Sequence, residues 1–352
     1  MRMKKILYIS NIAVPYKIKF FNMLADYCDL TVLYEREKSS NRDISWMKHE
    51  KLKFKIKYLN GLNYGKEYSF SIRVLKYIFS GQYDEIIISC YNSATQILAS
   101  SVLKILNKKF WISADGELYF SEDSFKSRIK RKIFCGAYGY LSAGEEASKS
   151  IKKVIGNSYV ATYYFSSLDN YDLQSNSMLQ RHDDGFVLVI GQYYDYKGMD
   201  VALRAAAMNE SIKYKFVGMG KRADIFASEN TITRNVEIIP FLQKENLERE
   251  YLNCSMVVLP TRRECWGLIV NEAASFGTPI VSTYGSGAAV EFLKGKYTKY
   301  LALPDDPRDL YKKICTLYSD DNIDEYSEYL KNKSAQYSIE QMVNVHRNLL
   351  EL

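Results

Sequence analysis

The chain has 352 residues, 47% hydrophobic and 25% charged, with a formal net charge of +7, a composition that suits two globular domains with ordinary cores. Six cysteines without a C-x-x-C pair argue against a disulfide framework and read as reduced thiols of a cytosolic protein. The three histidines, His49, His182 and His346, stand apart from every motif, against a histidine-built metal site or a Ser-His-Asp triad, and no apolar run approaches the roughly 18 residues of a membrane span.

In chain order, MRMKKILYISN is basic and then apolar, as a signal peptide is, but ILYIS is too short for an h-region, and Asn11 and Pro15 follow at once. It reads better as a first strand, Ile6–Ser10. Further strands are expected at Leu30–Tyr34, Lys53–Tyr58, Glu85–Ser89, Phe110–Ser113 and Tyr140–Ala143. Helical stretches near 16–27, 71–79, 93–107, 124–135 and 145–154 separate most of them, which implies a parallel sheet covered on both faces. Within SFKSRIKRKIFCGAYGY (124–140), Lys126, Arg128, Lys130, Arg131 and Lys132 stand beside Ile129, Ile133, Phe134 and Tyr138. A basic amphipathic helix of this kind either rests on an anionic leaflet or presents a solvated face. Thirty tyrosines offer stacking groups, but no recognition module accompanies them, so no nucleic-acid partner is expected. TYYFSSLDNYD (162–172) reads as an interdomain linker, and the polar residues 174–184 as the start of a second domain.

GFVLVIGQYYDYKGMDVALRAAA (185–207) reads as strand, loop and helix, with Lys197-Gly198 in the loop. YKFVGMGKRADI (214–225) repeats strand, glycine turn and helix. Gly218-Met219-Gly220 followed by Ala223 fits the dinucleotide fingerprint G-x-G-x-x-A, but a strand–helix unit already precedes it, and Glu237 is the only acid near the required distance of about 20 residues. Phe241 and Leu242 follow the next strand and suit either a ligand or the core. MVVLP (256–260) suits a fully covered strand. Leu268, Ile269, Ala273, Ala274 and Phe276 then recur at helical spacing until Gly277 and Thr278-Pro279 stop the helix. Glu264 falls in the loop between them and Glu272 about a turn inside the helix.

That placement has a chemical use. The unpaired N–H groups at a helix start favour phosphate, and Cys265-Trp266-Gly267-Leu268 sets such groups at the carboxyl end of a strand, where open α/β sheets bind ligands. A carboxylate on either flank accepts hydroxyl hydrogen bonds and repels the phosphate itself, so the pattern suits a sugar nucleotide. The alternative is an exposed Glu264 and a helix-capping Glu272. Gly285-Ser286-Gly287-Ala288 with Glu291 forms a further glycine turn followed by an acid.

Glu264-Cys265-Trp266-Gly267-Leu268 with Glu272-Ala273 resembles the E-x7-E signature of the retaining GT-B glycosyltransferases, in particular the GT4-like family, glycosyl transferases group 1, whose members often read E-G-F-G-L-x-x-x-E-A. Gly191 and Lys197-Gly198 resemble the family's donor-domain opening, a Gly-Arg-Leu turn followed by Lys-Gly, with Gln192 in place of the arginine. SNIAVPYKIKFF (10–21) resembles the Asn-Ile-x-x-Pro-Tyr-Arg turn of the polysaccharide-assembly members, with Lys17 in place of the arginine.

The resemblance implies two Rossmann-like α/β domains facing each other across a cleft: an acceptor domain over 1–165, a donor domain over 185–337, and a terminal helix, 338–352, crossing back to the first domain. It implies a bacterial surface-polysaccharide enzyme moving a sugar, with retention, from a UDP- or GDP-linked donor to a glycan or lipid-linked acceptor. Diphosphate charge is met by Lys197 and the amides near Gly267–Leu268, with no metal or cofactor; no D-x-D pair of the metal-dependent transferases is present. Glu264 contacts the donor sugar and Glu272 the ribose, with Gly191, Gln192, Gly198, Gly218, Phe241, Leu242 and Trp266 lining the donor. Asn11, Pro15, Tyr16 and Asp115 lie on the acceptor side, where relatives carry a histidine and this chain has Ser113-Ala114-Asp115-Gly116-Glu117. Asp115 either binds the acceptor or accepts its proton, or merely makes an Asp-Gly turn. The expected location is cytoplasmic, with segment 124–134 on the inner face of the membrane. A non-catalytic GT-B subunit, favoured by the loss of arginine at 192, and an NAD-dependent oxidoreductase, resting on the Gly218 turn, are the other readings.

Overall fold

The computed structural model describes residues 2–37, 51–64, 68–89, 93–116, 125–156 and 159–352. His49, Glu117 and Ser124 lie outside them, as does the side chain of Lys126. The chain forms two compact units, Met1–Phe165 with Ile339–Leu352, and Ser166–Ser338.

The first unit holds strands β1 (Lys5–Ser10), β2 (Asp29–Tyr34), β3 (Lys55–Tyr58), β4 (Leu62–Tyr64), β5 (Tyr68–Phe70), β6 (Glu85–Ser89), β7 (Trp111–Ala114), β8 (Gly139–Ala143) and β9 (Tyr159–Tyr163). Seven of them make a parallel sheet in the order β3-β2-β1-β6-β7-β8-β9, while β4 and β5 pair as an antiparallel hairpin. Central strands such as Glu85–Ser89 are buried throughout, as expected of a sheet covered by helices on both faces. The edge strand β3 instead alternates, because Lys55 and Lys57 face solvent. Leu7, Ile9, Leu33, Ile88, Ile112, Leu103 and Phe134 share the core. Each fully buried side chain of this size contributes roughly 1.5–3 kcal/mol.

The second unit holds β10 (Phe186–Ile190), β11 (Lys213–Val217), β12 (Val236–Ile239), β13 (Met256–Leu259), β14 (Ile280–Thr283) and β15 (Leu301–Ala302), in the parallel order β12-β11-β10-β13-β14-β15. Both sheets therefore reverse their strand order beside their first strand, between β1 and β6 and between β10 and β13. A crevice opens at such a reversal, outside the carboxyl ends of the strands, and ligands of open α/β sheets bind there.

Two boundaries differ from the sequence reading. Residues 159–163 are strand β9 of the first unit, and the second unit begins at Ser166, ahead of the expected 185. Asn170–Met178 is a helix started by a capping box between Asp169 and Asp172. It buries only Leu173 and Asn176, too narrow an apolar stripe to stand out from a polar linker. The terminal helix, Ile339–Leu350, packs against the helix Pro15–Leu24 and β9.

Candidate active site

Lys197 and Glu264 meet beside the reversal of the second sheet. Lys197 lies in the loop after β10 and Glu264 in the loop after β13, and the ammonium donates to the Glu264 Oε1. The two loops are joined through their backbones. The Tyr196 carbonyl accepts from the Arg262 N–H at 2.9 Å and the Thr261 hydroxyl at 2.8 Å. Arg262 then grips the Asp200 carboxylate with two N–H groups, at 2.7 and 2.9 Å, and so ties the β13 loop to the helix after Lys197. Gly198 is required twice over: its φ of +67° is left-handed, and a Cβ would stand 2.1 Å from the Pro260 carbonyl oxygen.

Gly267, at φ +108°, turns the chain into the helix Leu268–Ser275, whose start carries no side-chain cap and lies beside Glu264. A Cβ on Gly267 would stand 3.5 Å from Glu264 Oε2, a buried oxygen without a hydrogen-bond partner. Glu264 is therefore neither exposed nor paired at both oxygens. Glu272 is the fifth residue of that helix and does not cap it: Oε2 accepts from the Tyr251 hydroxyl at 2.9 Å and Oε1 from the Ser167 hydroxyl at 3.4 Å. Burial pushes the Glu272 carboxyl above its usual range, outweighing these hydrogen bonds.

The other donor-side residues divide. Gly191 continues β10 and donates to the Val217 carbonyl at 2.9 Å, and Gly218, at φ +96°, lies against it. Gln192 is exposed beside them. Phe241 is 51% exposed and so is no core residue, while Leu242 is half-buried. The Trp266 side chain sits in the core at 4% exposure, and its indole N–H donates to Asn271 at 2.8 Å. Its backbone carbonyl is taken too, accepting from the Ala288 N–H at 2.9 Å and the Ser286 hydroxyl at 2.8 Å. The Gly218 turn follows the second strand of its sheet, not the first as a dinucleotide fingerprint requires. Gly285 and Gly287 are close-approach positions, where a Cβ would stand 2.4 Å from the carbonyl oxygens of Arg262 and Cys265. Glu291 is buried and bonded to Lys294 and Tyr337.

In the first unit, Asp115 directly follows β7. Its Oδ1 accepts from the Tyr163 hydroxyl at 2.8 Å and its Oδ2 from Lys17 at 3.4 Å. Burial works against the Lys17 ammonium, but Asp115, Tyr16 and Tyr8 outweigh it and its pKa is raised. Pro15 is the first residue of the helix carrying Lys17, Tyr16 packs edge-on against Phe165 at 5.6 Å, and Asn11 accepts from Arg36 at 3.3 Å. Sequence spacing gave no hint of His346 here. It stands on the terminal helix, 1% exposed, with its ring 4.8 Å from Phe20 and 5.7 Å from Tyr163. With Lys17, Asp115 and Tyr163 it lines a cavity of about 20 Å³, room for one water. Burial pushes the imidazole down to about 4. Lys17, Tyr163, His346, Tyr251 and Ser167 are the site residues that sequence reasoning passed over or left without a role.

Two parallel α/β units, each with its polar groups at the carboxyl edge of the sheet, define the GT-B class, and solved structures share the fold over 99% of the chain. HepE of Anabaena in complex with UDP superposes with a TM-score of 0.72 at 15% identity, over 98% of its own length. Residues 171–345 match the model of the glycosyl transferases group 1, and the chain belongs to that family. An uncharacterized glycosyltransferase of Methanocaldococcus jannaschii is 23% identical over 231 residues, 64% of each chain. The O-antigen chain mannosyltransferase C of Escherichia coli is 25% identical over 222 residues, 58% of each. The chain thus spans less than two thirds of the length of these curated relatives.

Proposed function

We propose that this chain is a retaining glycosyltransferase that moves a sugar from a nucleoside diphosphate sugar to a hydroxyl of a glycan or lipid-linked acceptor in cell-surface polysaccharide synthesis. The observation that carries this reading is the convergence of Lys197, Glu264 and the start of the helix Leu268–Ser275, which no side chain caps, at the reversal of the second sheet. The O-antigen relative supports the pathway class, and the UDP bound to HepE supports the donor class.

As the sugar–phosphate bond breaks, negative charge grows on the diphosphate. Lys197 and the N–H groups at Gly267 and Leu268 stabilise it without a metal, and one such preorganised donor is worth about 3–4 kcal/mol. Glu264, held by Lys197 at one oxygen, presents the other to hydroxyls of the donor sugar. Glu272 receives the ribose hydroxyls in exchange for its long bond to Ser167. Asp115, oriented by the Tyr163 hydroxyl and Lys17, binds the acceptor hydroxyl or takes its proton. The helix Phe125–Phe134, with Arg128, Arg131 and Lys132 exposed around a 45% exposed Ile129, rests on the anionic inner leaflet and brings a lipid-linked acceptor near. Among the described residues, no helix is long and apolar enough to cross a membrane.

Thermal unfolding with UDP, GDP, ADP, CMP and NAD, each with and without magnesium, tests the donor site. A ligand at 100 times its Kd stabilises by about 2.7 kcal/mol. The expected result is a metal-independent shift with one nucleoside diphosphate, lost in Lys197→Ala and Glu272→Ala. A shift with NAD alone overturns the transferase reading. Silence from every nucleotide favours a non-catalytic subunit.

A further inference from the structure

Lys197 is a single cation, and Glu264 already neutralises it. A diphosphate carries more charge than that, and Gln192 adds none. The chain brings a second cation to the same loop from a different strand. The glycine turn after β11 lies against the loop after β10: the Gly191 N–H donates to Val217, and a Cβ on Gly218 would stand 3.6 Å from the Gly191 carbonyl oxygen. The turn ends in Arg222, whose Nη1 donates at 3.0 Å to the carbonyl of Tyr193, the neighbour of Gln192. Its guanidinium lies 4.3 Å from the centre of the Tyr194 ring. Tyr194 stacks on Tyr196 at 5.7 Å with the rings 7° from parallel, and Lys197 Nζ lies 5.7 Å from the centre of the Tyr196 ring. Arg222 and Lys197 thus both lie against the same pair of stacked tyrosines.

The charge of Arg222 is handled differently from those of Lys197, bound by Glu264, and the nearby Arg262, bound by Asp200 and Asp305. Among the described residues, no carboxylate pairs with Arg222. Glu229, on the helix that follows, accepts instead from the Tyr193 hydroxyl at 2.7 Å. A guanidinium has five N–H donors in a planar fork, and one is used on Tyr193. Such a fork matches phosphate oxygens in pairs.

We propose that Arg222 supplies the second positive charge of the diphosphate subsite, from the turn after β11, in place of the charge that Gln192 lacks. This rests on the donor-site reading above. Arg222 is already held over Tyr194 and on the Tyr193 carbonyl before binding, so less side-chain freedom remains to be lost when an anion arrives.

The test is equilibrium binding of UDP, GDP and ADP, with the matching monophosphates, to the wild type and to three variants. Arg222→Gln keeps a donor for the Tyr193 carbonyl and removes the charge. Arg222→Met is a second charge-free variant that keeps an extended side chain over Tyr194, and Gln192→Arg is combined with Arg222→Gln. The preferred diphosphate is expected to bind about tenfold or more weakly to Arg222→Gln, as the loss of a charge-assisted hydrogen bond implies, the monophosphate to lose less, and Gln192→Arg to restore most of the difference. Unchanged diphosphate affinity in both charge-free variants overturns the proposal. A loss equal for mono- and diphosphate and not restored by Gln192→Arg also overturns it, since Arg222 then acts only by holding the loop. Should the wild type bind no nucleoside diphosphate, the donor site itself falls and this inference with it.

Discussion

Each unit sets a lysine against a carboxylate at the carboxyl edge of its sheet, and the two pairs are built by different means. Lys197 and Glu264 are placed by backbone. Their loops are joined through the Tyr196 carbonyl, and Gly198 lies directly on the Pro260 carbonyl. Lys17 and Asp115 are placed by side chains. Lys17 comes from a helix, Asp115 from the end of β7, Tyr163 from β9 and His346 from the terminal helix, and they share a cavity of about 20 Å³. A site made of backbone and glycine can present its N–H groups to a ligand common to many enzymes. A site made of four separate side chains can be re-specified one residue at a time.

The comparison breaks most sharply at the donor pair. Lys197→Ala and Glu264→Gln should each lower sugar transfer by about 100- to 1,000-fold, the usual effect of losing one preorganised group. Steady-state rates measured with the donor identified by nucleotide binding decide it, and activity within threefold of wild type would remove both from the mechanism. Asp115→Asn should cost about 100-fold in transfer yet leave the nucleotide Kd unchanged, because its partners all lie in the first unit. A matching loss of nucleotide affinity would end the assignment of Asp115 to the acceptor.

The backbone-built site should also be the more sensitive to a single methyl group. Gly198→Ala combines a left-handed φ with a contact on Pro260 and should cost at least about 2 kcal/mol in urea unfolding. Gly81, also left-handed but with nothing near its Cβ position, is the control and should lose less.

The side-chain-built site predicts a pH effect. The folded pKa of His346 is depressed from 6.5 to about 4. Between those values the unfolded chain binds a proton that the folded chain does not, so the stability associated with neutral His346 is present above about pH 6.5 and is lost as pH falls toward 4. The slope is about 1.4 kcal/mol per pH unit. Glu35 works in the opposite sense: burial raises it from 4.5 to about 7, so the folded chain holds the extra proton and stability falls as pH rises through that window. The informative quantity is therefore the difference between wild type and His346→Gln, whose unfolding free energies should converge as pH is lowered. Parallel curves would show that His346 is not buried neutral.

The smallest effect belongs to the basic helix. Replacing Arg128, Arg131 and Lys132 by glutamine should weaken binding to vesicles containing anionic lipid by about 1 kcal/mol per charge, leave binding to neutral vesicles unchanged, and leave nucleotide affinity alone. Equal flotation of variant and wild type on anionic vesicles would make this helix an ordinary solvated face.

Much of this molecule was legible in the sequence because its information is local. The strands Glu85–Ser89 and Met256–Leu259 are buried runs, and Pro15 and Gly267 mark helix starts. Lys197-Gly198 and Glu264 lie in the loops after β10 and β13 and Glu272 about a turn inside the helix that follows, so their position at one edge of a sheet follows from strand–loop–helix order alone. What failed depended on neighbours far along the chain. Trp266 stands within the signature and yet packs into the core, because Asn271 takes its indole N–H and Tyr337 lies beside the ring. Helix Asn170–Met178 was hidden by a narrow apolar face, and its Asn176 is fixed by Ser275 from 99 residues away. His346 is separated from Asp115 by more than two hundred residues, and only the return of the terminal helix to the first unit places it there. Sequence determined which elements form and which edge of each sheet bears polar chemistry, since hydrogen-bond geometry and burial periodicity act over a few residues. The choice of side chains that share a cavity was left to tertiary packing, where each contact joins segments whose spacing along the chain carries no signal of it.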